Sequence, residues 1–388
     1  MRRTLAFIAL VLLAMALPAR AEDPFRDGEK TFLKARELLQ KQYVNDKLSE
    51  DQMWRAATEG LFAGVGNGKW DKLMSPAELA ALNADLAGEM VGLGILISVQ
   101  EQTGIVDIDG VVPGSGAQKA GLVVGDKILR MDGKSLKGLS RGEVARSMRG
   151  KAGTSVTLTV LRDAAIVTKV VRRSPFVLDA VIGTMLPNGV ELVQLRAFND
   201  RTPSMLKNEL EKAKRASARA LIVDLRNNEG GKYDSMLTCA GQLLPKGALV
   251  VTELGRGGIV SDKRTSTEPV LGGVPIVVLV DNATASGAEI LAAALKQAGA
   301  KTVGKRTFGK WNAQTLEDLG NGWGAKFTTI VFRAPSGALP DGKGLEPDLE
   351  VEADPRTVAR ANVMKELDKR LAVDTQLRVA VNLLKMTK

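Results

Sequence analysis

From about residue 173 the chain alternates apolar runs of strand length with helical stretches, and no other feature limits the fold as much. The runs are Val190 to Leu195, Ala220 to Leu225, Ala248 to Val251 and Ile276 to Val280. Helices are expected from Thr202-Pro203, near Tyr233 to Leu244 and from Ser286. Strands joined through helices pair in parallel, because the crossover carries the chain back over a sheet face. An α/β core with a mixed, mostly parallel-rich sheet and helices on its faces is therefore expected over 173–355. Upstream, 89–172 has another texture: short β-type runs such as Ser155 to Val160 between Gly-rich turns, with short helices near Ala117 to Ala120 and Arg141 to Met148. That order describes a compact β-rich module. Residues 22–88 form a helical entry region, with Phe32, Ala35, Leu38 and Leu39, then Trp54, Ala57, Leu61 and Phe62, at helical spacing and a break near Gly64 to Lys69. Residues 356–388 read as an amphipathic helical segment that packs on the body or on a second subunit.

The first twenty-one residues have the pattern of a secretory signal: Arg2 and Arg3, an apolar stretch from Leu5 to Leu17, and the small-x-small site Ala19-Arg20-Ala21. Pro18 and Arg20 interrupt that stretch short of the roughly 20 apolar residues a membrane span needs. A chain exported to a bacterial periplasm, with no stable span after removal of the signal, is the expectation. Of the net charge of +10, three positive charges lie in this leader, which leaves +7 for the mature chain. No basic cluster interleaved with aromatics stands out, so a nucleic-acid partner is not expected. The single cysteine, Cys239, has no internal disulfide partner and sits among apolar residues as a small hydrophobe.

The 388 residues contain no histidine. This excludes the Ser-His-Asp triad, the Cys-His pair and the usual His-containing zinc sites. Acid–base work near neutral pH falls to lysine, a carboxylate, tyrosine or Cys239.

Three segments carry candidate chemistry. In Ile276 to Leu291 a buried strand ends in a turn of small residues, and a helix begins with Ser286 at its mouth. Open α/β sheets place their ligands at such strand ends, and a helix N-terminus favours developing negative charge. Ser286 with Glu289 three positions on is equally a capping box. In Thr307 to Gln314, Lys310 lies between a glycine and a tryptophan, poor in other charges. It reads either as a surface lysine or as a buried base. A lysine serves as a base only if burial brings its pKa down by about 3 to 4 units, and Phe308 and Trp311 are the residues expected to bury it. In Ile222 to Gly231 a buried strand runs into the polar string Asp224-Leu225-Arg226-Asn227-Asn228-Glu229 and two glycines. Glycine lets backbone N–H groups approach a developing oxyanion, although a tight turn explains it as well. Asp224 and Arg226 read as structural partners.

In combination these segments resemble the C-terminal processing peptidases, the tail-specific proteases of family S41, whose corresponding patterns are DLRNNPGG, SASASEI and TFGKGTVQ. The resemblance runs from about residue 30 to 352 and includes Pro335-Ser336-Gly337 and Gly344-Leu345-Glu346-Pro347-Asp348. It implies a crotonase-like core, Ser286 as nucleophile, Lys310 as general base and Gln314 as the residue that orients the lysine. The oxyanion donors it implies are the N–H groups of Gly287 and of a glycine in the Gly230-Gly231 turn. The sequence departs from the pattern at Glu229, which replaces the proline of NPGG, at Thr284 to Ala288, and at Trp311-Asn312. The usual DPHSxY string is missing, and Trp70 to Met74 stand there instead. A carboxylate at Glu229 would weaken anion stabilisation beside the oxyanion turn.

The β-rich module resembles a PDZ domain. Gly92-Leu93-Gly94-Ile95 looks like the loop whose backbone N–H groups hold a terminal carboxylate while the next strand adds the peptide to the sheet. Val112 to Ala117, Ala120 to Leu122 and Gly125 to Ile128 are similar to the second half of such domains, and Arg149 falls where some relatives couple tail binding to the active site. The reading implied is a serine endopeptidase without cofactors that takes protein or peptide substrates with apolar C-termini, with a homodimer as a possible assembly. A PDZ adaptor on a decayed peptidase core is the rival, and Glu289 with Asp224 as a glycosidase pair has no supporting spacing.

Overall fold

The computed structural model describes residues 27–44, 48–65, 70–88, 90–100, 102–176, 179–320, 322–353, 358 and 367–386. The leader lies outside them. Contacts divide the chain into two units that meet at Gly64 and Val65. In the first, α1 (Gly28–Gln42) and α2 (Glu50–Val65) bring the Phe32 and Trp54 rings to 5.7 Å. Arg36 lies over the Trp54 ring at 4.9 Å and pairs with Glu50 at 2.6 Å.

The second unit begins with β1 (Lys72–Met74) and α3 (Pro76–Ala87). A capping box fixes the start of α3: the Glu78 carboxylate accepts the Ser75 N–H at 2.9 Å, and Ser75 Oγ accepts the Glu78 N–H at 3.4 Å. The β-rich module follows. Its entry and exit strands, β2 (Met90–Gly92) and β9 (Ser174–Phe176), pair antiparallel. Between them β3 (Ile95–Gln100), β4 (Ile105–Val111), β5 (Lys127–Met131), β7 (Ser155–Arg162) and β8 (Ala165–Arg172) form an antiparallel sheet in that order, with β6 (Lys134–Ser135) beside β5. Alternate residues of β7, Val156, Leu158 and Val160, are buried against Ile108, Ile128, Val144 and Met148, as the period of a half-buried strand requires. Helix α4 (Gly116–Lys119) lies against β8, and α5 (Arg141–Met148), itself opened by a Ser140–Glu143 capping box, lies against β3. Strand β3 is an edge of the sheet, with no strand among the described residues on its outer side.

The core contains two sheets. One has the order β10 (Val181–Leu186), β11 (Val190–Leu195), β12 (Ala220–Asp224), β15 (Ile276–Val280), β16 (Lys301–Gly304), β19 (Leu349–Glu350); all neighbours are parallel except β10 with β11. Strands β11 and β12 are buried along their whole length because both faces are covered. Helices α6 (Thr202–Arg215), α7 (Tyr233–Leu243) and α8 (Gly287–Gln297) bury Leu206, Leu210, Met236, Ile290 and Leu291 on one face. After α9 (Leu367–Val373), α10 (Thr375–Met386) covers the other face with Leu377, Ala380 and Val381 against Leu192, Ile222 and Leu279. The segment read as packing on the body or on another subunit thus packs on the body.

The second sheet corrects the expectation of a mostly parallel core. Strands β1, β18 (Trp323–Arg333), β13 (Leu249–Gly255) and β14 (Gly258–Arg264) are antiparallel neighbours, with β17 (Asn312–Gly320) antiparallel to β18. Parallel pairing joins β11, β12, β15 and β16 through helices, and β19 pairs parallel with β16 after the β17–β18 hairpin. Where consecutive strands turn back directly, at Arg256-Gly257 and after Gly320, the chain closes hairpins that are antiparallel by geometry. No described helix is long and apolar enough to cross a membrane.

Candidate active site

The site is built at the carboxyl ends of β12 and β15. After Val280, Asp281 Oδ1 accepts the N–H groups of Ala283 (3.1 Å), Thr284 (2.9 Å) and, across the turn, Asn227 (3.0 Å). Burial pushes the Asp281 carboxyl above its ordinary value, and the Asn227 N–H and the Thr284 hydroxyl work against that shift. Asn228 is fully buried and clamps the neighbouring turn. Its Nδ2 donates to Leu195 O (2.9 Å), its Oδ1 accepts from Gly230 N (2.8 Å), and its carbonyl accepts from Ala285 N (2.9 Å).

Ser286 stands between these supports at φ 57°, ψ −123°. A non-glycine residue there is strained by about 1–3 kcal/mol, which the surrounding bonds must hold. Gly230, at φ 96°, is the neighbour that makes room: a Cβ on it would lie 2.9 Å from Ser286 Cβ and 3.0 Å from Gly287 N. Gly231 is pressed equally close to Phe198, whose carbonyl oxygen would be 2.1 Å from an added Cβ.

Glu289 is fully buried and joins the serine to the lysine. Its Oε2 accepts the backbone N–H of Ser286 at 2.9 Å and of Lys310 at 2.8 Å. Its Oε1 accepts Thr307 Oγ1 at 2.5 Å, Gly309 N at 2.8 Å and Trp311 Nε1 at 3.1 Å. The amide nitrogens of Ser286 and Lys310 are therefore no farther apart than two hydrogen bonds laid end to end. The partner expected from the capping box is present, and the same carboxylate also holds the lysine-bearing loop.

The amine of Lys310 lies 4.7 Å from the centre of the Trp70 ring. Burial lowers its pKa to about 8, the like charge of Lys326 adds to the shift, and Glu289 and Asp341 oppose it. Roughly one amine in ten is then neutral at pH 7. The residues expected to bury the amine do so indirectly: Trp311 is buried with its indole on Glu289, and Phe308 is partly exposed, its ring 6.2 Å from that of Trp70. Trp70 was missed, because nothing local links it to a lysine so distant in the chain. It belongs to the segment that stands where the DPHSxY string was expected. So does Asp71, whose Oδ1 accepts Thr328 N at 2.8 Å and Thr328 Oγ1 at 2.7 Å.

Ser286 and Lys310 make no side-chain hydrogen bond to each other here, although catalytic contacts often tighten only when substrate is bound. Gln314 Nε2 donates to Asn312 Oδ1 (2.7 Å) and Thr328 Oγ1 (3.1 Å), so its amide group is fixed within the β17–β18 hairpin. Of the glycine N–H groups, that of Gly230 is taken by Asn228, and no described group accepts from Gly231 or Gly287.

Next to the site lies a buried ionic cluster. Arg226 pairs with Asp224 (2.7 Å) and Asp374 (2.9 Å) and donates to Gln376 Oε1 (3.1 Å), which ties the end of β12 to the start of α10. Burial opposes both charges of the Asp224–Arg226 pair. Their mutual attraction nevertheless holds Asp224 below and Arg226 above their ordinary values. In the β-rich module, Leu93 O and Gly94 O accept Ala117 N (2.8 Å) and Val112 N (2.9 Å), and Ile95 begins β3. Gly92 packs against Met148 and Arg149, and Arg149 Nη1 pairs with Asp85 of α3. Among the described residues no group of three His, Cys, Asp or Glu stands together as a metal site.

Comparison with known proteins finds relatives for both the core and the β-rich module. Residues 189–351 match peptidase family S41, and residues 108–162 match the PDZ domain. The carboxyl-terminal-processing protease of Picosynechococcus sp. is 29% identical over 392 residues, covering 95% of this chain and 94% of that protein. A probable CtpA-like serine protease of Staphylococcus aureus is 29% identical over 309 residues, which are 79% of this chain and 61% of the longer relative. Among solved structures, the photosystem II D1 C-terminal processing protease superposes with a TM-score of 0.59 at 27% identity over 90% of this chain and 92% of that one. The fold and its matches define a serine peptidase with a PDZ domain. The match to peptidase family S41 covers residues 189–351, and the chain is similar to carboxyl-terminal-processing proteases over most of its length.

Proposed function

We propose that this peptidase is a periplasmic endopeptidase, exported by its leader, that holds apolar C-terminal tails of exported proteins in the PDZ groove and cleaves them with a Ser286–Lys310 dyad. The observation that carries the dyad is Glu289, which binds the amides of both residues while the amine of Lys310 is buried under Trp70 with its pKa near 8. In the reaction, neutral Lys310 takes the Oγ proton of Ser286 as Oγ attacks the scissile carbonyl carbon. The N–H groups of Gly287 and Gly231 receive the oxyanion, and Gln314 holds the lysine. Collapse breaks the C–N bond, Lys310 returns the proton to the leaving amine, and water then hydrolyses the acyl-enzyme by the same route.

Tail capture is supported by the open edge of β3 beside α5, where an extended peptide adds a strand. The leader's charge and apolar pattern supports export. The test is cleavage of an unfolded protein with an apolar C-terminus, read by mass spectrometry of the fragments. Ser286→Ala and Lys310→Ala are each expected to abolish it, and cleavage retained by either variant overturns the dyad. A chain that binds the tail but never cleaves it is the adaptor.

A further inference from the structure

Gln314 lies in the middle of a chain of side chains whose hydrogen bonds can run in one direction only. Asn312 and Gln314 are alternate residues of β17 and share a face, and Thr328 is the residue of β18 opposite Gln314. Gln314 Nε2 donates to Asn312 Oδ1 at 2.7 Å and to Thr328 Oγ1 at 3.1 Å. On the far side, Asn312 Nδ2 donates to Asp341 Oδ1 at 3.0 Å, and the Thr328 hydroxyl donates to Asp71 Oδ1 at 2.7 Å. An ionised carboxylate accepts and has no proton to give. Asp341 therefore turns the Asn312 amide so that its oxygen faces Gln314, and Asp71 takes the Thr328 proton so that only a lone pair is left for Gln314. Both N–H bonds of Gln314 are thus engaged, its Oε1 is turned away from Asn312 and Thr328, and no described group donates to that oxygen. A reversed amide would set oxygen against oxygen at both contacts.

Both ends of this chain also border the amine of Lys310. The charge of Asp341 acts on it, and Asp71 follows Trp70, whose ring lies over it. We propose that Asn312 and Thr328, aimed by Asp341 and Asp71, are positioning residues that present the carbonyl end of Gln314 to the Lys310 amine. The proposal rests on the roles of Ser286, Lys310 and Gln314 given above. A carbonyl accepts one N–H of the neutral amine and leaves the lone pair of the amine for the Ser286 proton. An amide N–H in the same place would occupy that lone pair and block the base. The family pattern has threonine where Asn312 stands, and the single oxygen of a threonine side chain both gives and accepts. Asn312 separates the two functions onto two atoms, which is what transmits a direction from Asp341 to Gln314.

The experiment is a double-mutant cycle on the full chain, read as kcat and KM for cleavage of unfolded β-casein extended by Ala-Val-Val. Thr328→Val keeps the shape of the side chain and loses the hydroxyl; Asn312→Ala removes the other acceptor. Each is expected to lower kcat about fivefold, the scale of one hydrogen bond, and to leave KM in place. Thr328→Ser, which keeps the hydroxyl, is expected to restore the rate. Gln314→Ala is expected to lower kcat by at least as much, and in that background neither Thr328→Val nor Asn312→Ala should lower it further. A Thr328→Val chain as fast as the parent, a Thr328→Ser chain as slow as Thr328→Val, or an equal loss once Gln314 is gone overturns the positioning role alone. The Thr328 variants decide the matter even where Asn312→Ala does not fold. Full activity in Gln314→Ala overturns the role of the glutamine and the proposal with it. Cleavage that survives Ser286→Ala overturns the dyad beneath both.

Discussion

Arg226, just after β12, and Lys310, just before β17, are both cations withdrawn from water, and the protein treats them in opposite ways. Arg226 is enclosed by Asp224, Asp374 and Gln376, so its charge is matched and its pKa rises. Lys310 faces an aromatic ring, has Lys326 nearby and pairs with no carboxylate at its amine, so its pKa falls to about 8. Glu289, whose charge acts on the amine, spends its oxygens on backbone N–H groups, a hydroxyl and an indole. Burial alone therefore does not decide the protonation state. The same desolvation leaves a fixed charge where carboxylates are supplied and a titratable amine where they are withheld.

The largest effect is expected from breaking the matched cation. Asp374→Ala leaves Arg226 buried with half its counter-charge, and removal of one partner from a buried pair costs about 3–5 kcal/mol. Urea denaturation should show this as a lower midpoint with little change in slope, and an unchanged midpoint would mean that the Asp374 carboxylate contributes nothing through its charge. Breaking the unmatched cation should do the reverse. With its pKa lowered in the folded chain, Lys310 binds its proton less readily there than in the unfolded chain. Stability therefore rises with pH from about 8 to the ordinary lysine value. Lys310→Met is expected to be inactive yet more stable at pH 7, by up to about 3 kcal/mol, with the advantage shrinking as pH climbs through that window. A variant less stable than the parent at pH 7 would show that the amine is not held at a cost.

The contrast was only half legible in the sequence. Asp224 and Arg226 read as structural partners from their place at a strand end, and they are; Asp374, far away in the chain, was out of reach of any local rule. Lys310 was visible as a candidate base because its loop is poor in charge. The assignment of its cover to Phe308 and Trp311 followed sequence proximity, whereas the ring over the amine is Trp70. Glu289 read as a helix cap, and a local rule sees no more than that, because Thr307, Gly309 and Trp311 reach it only through the tertiary fold. Strand β1 has three residues and exists by pairing with β18, so its short run carries no period of its own. The β17–β18 hairpin was missed for a related reason: Glu317 to Gly320 are all exposed, and the alternation fades before the turn.

Smaller substitutions sharpen the comparison by changing the surroundings of Lys310 without removing it. Activity that depends on neutral Lys310 rises with pH and levels off above an inflection near 8. Trp70→Ala admits water to the amine, so the inflection should move upward and the rate at pH 7 should fall by up to about tenfold. A downward shift would mean that attraction of the ring for the ammonium outweighs its exclusion of water. The smallest effect is expected at Lys326, which lies opposite Lys72 in the β1–β18 pair and whose own pKa is lowered first by burial and then by Lys72. Lys326→Gln removes a like charge and leaves the burial of Lys310 in place. The inflection should rise by less than in Trp70→Ala, about half a unit or less, and the difference should fade at high salt, because salt screens charge and leaves desolvation unchanged. A shift that is as large in 1 M salt as in dilute buffer would assign the effect to packing of the lysine stem and not to its charge.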